Sequence, residues 1–176
     1  RFSRDSKKIS RRGLNLRRYS NNFKITMTVL SVFFVCFIWG NSLLPGTESG
    51  NLSGNVLNFV NSFLKNVGIN KEVSHYMIRK AAHFTEHMCF GACLLVTLRA
   101  YTQEVLKYIS NILFIGLLVP VIDEFIQLFI DGRGGEIKDV IIDFSGLLVG
   151  IIISFIIVFL IDRKNKSRLK LIVRRR

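Results

Sequence analysis

Apolar residues run along this chain in four long stretches, Ile25 to Leu44, Ile78 to Tyr101, Ile109 to Ile130 and Val140 to Ile161. Each approaches the roughly 20 residues that a helix rising about 1.5 Å per residue needs to cross a bilayer. A fifth apolar pattern is of another kind. Leu52, Val56, Phe59, Val60, Phe63, Leu64 and Val67 recur at helical spacing, while Asn55, Asn58, Asn61, Ser62 and Lys65 take the other face. A helix over 52–67 with a polar face is too short to span. It is expected to lie along the outer membrane surface or to fold over the spans as a lid, the plainer reading being an amphipathic connector. The pattern predicts an all-α, polytopic membrane protein, a bundle of four transmembrane helices plus one amphipathic extracytoplasmic helix.

Composition agrees, since hydrophobic residues make up 49% of the 176 and include 15 Phe, more than a small soluble core needs. The net charge of +13 would suit a nucleic-acid binder if it were spread over a folded surface, but it is not. Nine of the 25 basic residues precede Ile25 and eight follow Asp162. Clusters that stop abruptly at apolar spans are what the positive-inside rule produces, and they attract anionic lipid. Basic segments at 1–24 and 163–176 are therefore expected on the cytoplasmic side of a membrane domain at 25–162. No aromatic or folded motif accompanies them, so membrane lipids are expected partners and nucleic acid is not.

The first span follows a basic flank, as a signal peptide would, but it is long for an h-region and no A-x-A-like site follows Trp39. An uncleaved span is expected, with Trp39 near the outer interface. Cys36, Cys89 and Cys93 all fall within spans, without a CxxC, and read as small apolar fillers. Span three contains Gly116 and Pro120, which predicts a kink just before Asp123. Span four contains Gly146 and Gly150, a GxxxG pattern that lets another backbone approach closely.

An even number of spans with both basic ends inside puts 45–78 and 131–138 outside. Lys80, His83 and Glu86 then fall in the outer half of span two, Asp123, Glu124 and Gln127 in that of span three, and Asp139 and Asp143 in that of span four. Glu86, Asp123 and Asp143 would each sit roughly 5 to 13 Å below the outer boundary. Within each helix the spacing keeps the polar residues on one face: Lys80, His83 and His87; Asp123 and Gln127; Asp139, Asp143, Gly146 and Gly150. Turned to lipid, each central charge would cost about 2.5 to 3.5 kcal/mol, so the faces are expected to converge inside the bundle. Arg79, Lys80, Arg133 and Lys138 stand there against Glu86, Asp123, Glu124, Asp131, Glu136, Asp139 and Asp143. The negative surplus implies that some acids carry protons, or that a cationic or hydroxyl-rich group binds.

His83-Phe84-Thr85-Glu86-His87 also matches the H-x-x-E-H zinc pattern, with Asp123 or Glu124 as a third ligand. Four short spans are not the scaffold of such enzymes, and neither a metal nor another cofactor is expected. There is no G-x-S-x-G and no P-loop.

Arg79-Lys80-Ala81-Ala82-His83-Phe84-Thr85-Glu86, followed by Asp123-Glu124, Gln127, Gly132-Arg133, Asp139-Val140, Asp143, Gly146 and Gly150, closely resembles the VanZ-like family over roughly Trp39 to Gly150. The family's founding member is linked to teicoplanin resistance. The resemblance implies an integral protein of the bacterial cytoplasmic membrane acting on the cell envelope. It points to Lys80, His83, Glu86, Asp123, Glu124, Gln127, Arg133, Asp139 and Asp143 as ligand-binding residues. His87 stands where Tyr is usual, which weakens the zinc reading, and Ile126 where many relatives have His. The leading expectation is a non-enzymatic pocket that binds a lipoglycopeptide or a lipid-linked wall precursor. One alternative is an enzyme modifying a lipid-linked glycan or phosphate, with Glu86, Asp123 and Glu124 as acid and base. Another is a structural or proton-coupled transport role.

Overall fold

The computed structural model describes residues 19–68 and 72–174, with the side chains of 51, 52, 166 and 168–174 excepted. Most of the basic segment expected at 1–24, and the last two residues of the tail, lie outside them. Five helices follow one another: α1 (Asn21–Ser42), α2 (Gly46–Asn66), α3 (His75–Tyr101), α4 (Ile109–Gln127) and α5 (Ile137–Arg174), with a 3-10 turn at Val105–Tyr108 leading into α4. No strand occurs among the described residues. The segments Asn21–Ser42, His75–Tyr101, Val105–Gln127 and Ile137–Asn165 are long and apolar enough to cross a membrane. This is the architecture the apolar pattern predicts.

Local chemistry sets the ends. Ser20 caps α1 by accepting from the Phe23 N–H at 3.2 Å, and Ser74 caps α3 by accepting from the Met77 N–H at 3.3 Å. The capped α3 therefore starts three residues before the apolar run at Ile78. In contrast, α4 stops at Gln127, short of Ile130, because Phe129, Ile130 and Arg133 bond back to Ile126, Gln127 and Ile130 as turns. Gly132 closes that loop at φ +72°, a conformation open to glycine. The loop is tied to the start of α2 by the Gly46 N–H donating to the Asp131 carbonyl at 3.0 Å.

Helix α3 packs most intimately on α5, α1 leans on α3 and α4, and α2 touches α3. The α3–α5 seam is built on glycines. A Cβ at Gly146 would strike the Phe84 carbonyl, one at Gly150 the Met88 carbonyl, and one at Gly91 the Leu147 carbonyl. The GxxxG pattern thus lets two helices of the same chain meet backbone to backbone. Phe90, Leu94, Leu95, Leu147 and Ile151 fill the interior with Ile38, Ile112 and Val119 from α1 and α4. The outward faces carry Val29, Phe33, Phe114, Ile141, Ile152 and Phe159, exposed as lipid contact requires.

Two expectations change in detail. The Trp39 indole is not turned wholly to an interface: its N–H donates to the Val119 carbonyl at 3.2 Å, joining α1 to α4 beside Pro120. Helix α2 leaves its apolar stripe, Val56, Phe59, Phe63 and Val67, exposed, so that stripe does not close over the bundle. Asn61 on its polar side instead pins the segment before α3, accepting from the Val73 N–H at 2.9 Å and donating to the Val73 carbonyl at 3.3 Å. The three cysteines are free thiols, Cys89 and Cys93 half-buried and Cys36 exposed.

Candidate functional site

The polar residues of α3, α4 and α5 meet at the end of the bundle where α1 passes into α2. Each arrives there for a local reason. The turn after Gln127 ends α4 so that Asp123, Glu124 and Gln127 fall at its C-terminal end, all buried. Asp139 and Asp143 lie one turn apart near the start of α5, on the glycine stripe that faces α3. Lys80, His83 and His87 line the matching face of α3.

The contacts fall into three groups. Lys80 forms an ion pair with Asp139, both side chains largely buried, and its ammonium also lies 4.9 Å from the centre of the Tyr76 ring. Gln127 Nε2 is within donating distance of Asp123 Oδ2 at 3.0 Å, Ser42 Oγ at 3.2 Å and Glu124 Oε1 at 3.3 Å. The other Glu124 oxygen accepts from the Glu136 N–H at 2.9 Å. The approach depends on Gly135, since a Cβ there would strike the Glu124 carbonyl. The third group turns toward α1: Asn41 Nδ2 donates to Glu86 Oε1 at 3.1 Å, and Arg133 Nη2 donates to the Asn41 carbonyl at 2.9 Å.

His83 Nδ1 lies 3.9 Å from Asp143 Oδ2, and His87 Nδ1 lies 3.7 Å from Asp143 Oδ1. His87 Nδ1 is also 3.0 Å from the His83 carbonyl one turn back, an acceptor that fixes the proton on this nitrogen. His83, Asp123 and Asp143 offer one ligand atom each, all within 4.8 Å of one another. Seven buried side-chain atoms lack a hydrogen-bond partner among the described residues: His83 Nδ1, His87 Nε2, Asp123 Oδ1, Arg133 Nε, Asp139 Oδ1 and both oxygens of Asp143. Such atoms are rare in folded proteins, and here they cluster.

All nine residues singled out by the sequence lie at one polar end, and their contacts there are specific. Lys80 is engaged by Asp139 and Arg133 by a main-chain carbonyl, so neither cation is held in reserve. No Lys or Arg among the described residues forms an ion pair with Glu86, Asp123, Glu124 or Asp143. Burial, with Arg79 nearby, pulls the Arg133 guanidinium below its ordinary value, against Asp123, Glu124 and Glu86, which pull it up. Within the H-x-x-E-H segment Glu86 faces Asn41, and His87 bonds the backbone one turn back through Nδ1, while its buried Nε2 has no hydrogen-bond partner among the described residues. Asn41 and Ser42 went unnoticed in the sequence. The signal was there, an Asn-Ser pair in the last turn of an otherwise apolar span.

A cavity of about 390 Å³ lies at the opposite end, lined among others by Leu95, Arg99, Lys107, Phe155, Phe159 and Asp162. Arg99 is buried there against Asp162, with Nη2 and Nε donating to Oδ2 at 2.8 and 3.3 Å.

A family model described as VanZ/LLP1 matches residues 26–159. No curated protein and no solved structure matches the chain.

Proposed function

The chain belongs to the VanZ/LLP1 family, matched over most of its length, and from that premise we propose that its polar end is a binding site for an envelope molecule. The occupant is the hydroxyl- and amide-rich head of a lipid-linked wall precursor, or a lipoglycopeptide such as teicoplanin, whose action the protein thereby weakens. The membrane is the bacterial cytoplasmic membrane, with both termini inside and the polar end facing out. The observation that carries the reading is the surplus of acceptors: buried Asp123, Glu124 and Asp143, with half-buried Glu86, form no ion pair with a Lys or Arg among the described residues, and Asp123 Oδ1 and both oxygens of Asp143 have no hydrogen-bond partner there. Acceptors left in this state in a low-dielectric interior are compensated when donors arrive. A sugar or peptide head brings donors in number. Lys80 and Arg133, already engaged, screen the rim and would contact any anionic group of the ligand.

The test is drug protection in cells expressing single-residue variants. Glu86→Ala and Asp123→Ala are each expected to abolish protection against teicoplanin at unchanged membrane level. Protection that survives both substitutions removes the pocket from the mechanism. Mass spectrometry of envelope lipids, with and without the protein, is expected to show the same species, and a new glycan or phosphate product would move the protein to the enzymes.

A further inference from the structure

We propose that His83, Asp123 and Asp143 form a site for one divalent transition cation of the zinc class. The inference does not depend on the ligand proposed above and goes beyond it. Three helices contribute one ligand each: His83 from α3, Asp123 from α4 and Asp143 from α5. Their donor atoms already lie within 4.8 Å of one another. Zinc bonds of about 2.0 to 2.2 Å set neighbouring ligand atoms about 3.4 Å apart in a tetrahedron, so closing the site takes side-chain shifts of about 1 Å.

The free atoms point the same way. Asp143 is 1% exposed, and neither of its oxygens has a hydrogen-bond partner among the described residues. Asp123 is fully buried; Gln127 holds its Oδ2, and its Oδ1 is unpartnered. His83 Nδ1 is unpartnered as well. A carboxylate fixed through one oxygen with the other left bare is how metal ligands are commonly oriented. Charge agrees, because two carboxylates without a Lys or Arg partner are neutralised by one divalent ion, with the imidazole contributing a neutral nitrogen. One nitrogen and two oxygens suit zinc, and manganese more weakly; magnesium and calcium favour all-oxygen shells, and no thiolate is present to select a softer ion. The set differs from the H-x-x-E-H pattern in the sequence. His83 and Asp123 are common to both, whereas Asp143 from α5 takes the place of His87.

The experiment uses the full chain in lipid nanodiscs, stripped with a chelator and titrated calorimetrically with zinc chloride alone, then with manganese chloride. One zinc per chain is expected, bound more tightly than manganese. Asp123→Asn, Asp143→Asn and His83→Gln should each lower zinc affinity about tenfold or more. Glu104→Gln, exposed at the opposite end of the bundle, should leave it within about threefold. Should the Asp variants fail to fold, thermal melting decides, since zinc is expected to raise the melting temperature of the wild type and not that of His83→Gln. Zinc uptake no greater than that of an Asp123→Asn/Asp143→Asn protein overturns the site. So does uptake that survives the three ligand changes but is lost in Glu86→Gln or His87→Gln. Loss of the site on these terms leaves the drug-protection test untouched, because that test reads resistance rather than metal.

Discussion

Each end of the bundle buries charge, and they do it in opposite ways. At the end near the termini, Arg99 meets Asp162 through two donors on one oxygen. The Ser31 and Thr97 hydroxyls lie 2.9 Å apart and each lies 3.0 Å from the Met27 carbonyl, so that one donates to the carbonyl and the other to its neighbour or to the same carbonyl, and Thr28 meets the Tyr101 hydroxyl at 3.1 Å. At the other end, Glu86, Asp123, Glu124 and Asp143 form no ion pair with a Lys or Arg, and seven buried atoms have no hydrogen-bond partner, among the described residues. The first arrangement holds helices together. The second costs stability that only a ligand, a proton or an ion returns. Within one chain, polar satisfaction separates structural charge from charge kept for use, more sharply than burial does, since Arg99 and Asp143 are both nearly inaccessible.

The largest effect should come from breaking the satisfied end. Arg99→Ala removes two hydrogen bonds from Asp162 beside α3 and is expected to destabilise the protein by about 3 kcal/mol, the low end for loss of one member of a buried pair, because the Asp162 side chain is a quarter exposed. The Arg99→Ala/Asp162→Ala protein should recover a large part of that loss. Denaturant melts in nanodiscs read both. A loss below about 1 kcal/mol for Arg99→Ala would erase the contrast between the two ends.

Next comes Lys80, the one cation of the polar layer that is paired with a carboxylate. Lys80→Met leaves Asp139 uncompensated and should cost about 2 to 3 kcal/mol, somewhat less than Arg99→Ala because Arg99 gives up two hydrogen bonds to Asp162 where Lys80 gives up a single ion-pair contact. The seam between the ends gives a third measure. Gly150→Ala forces a methyl into the Met88 carbonyl, and backbone cannot yield as a flexible side chain would. A loss of about 1 to 3 kcal/mol is expected, and a smaller loss on thermal melting would mean that the helices part easily there.

Much of this was legible in advance because membranes constrain sequence so strongly. Four apolar runs at the right length gave four spans, and polar positions at helical spacing inside them gave one convergent layer. The glycine stripe at Gly146 and Gly150 marked the face of α5 that meets α3. The limits were also physical. Helix α5 runs to Arg174, well past Ile161, because hydropathy ends where lipid ends, whereas a helix continues until something breaks it, and no Pro or Gly follows Gly150. The partners inside the layer were not readable either. Spacing tells which residues share a face of one helix, not which atom across the bundle lies opposite. So Glu86 read as the partner of two histidines, while the fold turns it to Asn41, and Asp143 read as one acid among several, while the fold sets it against His83 and His87.

Asp143→Asn should have the smallest effect and the opposite sign. Both Asp143 oxygens are buried without hydrogen bonds, so the charge there weakens the fold as long as no cation is bound. Asparagine keeps the shape and removes the charge. In chelator-treated protein the variant is expected to be more stable than the wild type by about 1 kcal/mol, the scale of a single buried polar imbalance. Zinc at about 100 times its dissociation constant should reverse the order, since binding of that strength adds about 2.7 kcal/mol to the wild type and little to a variant that has lost a ligand. The crossing, not the size of either change, is what the comparison requires. A variant less stable than the wild type both with and without zinc would place Asp143 with Arg99, among the charges that hold the helices together.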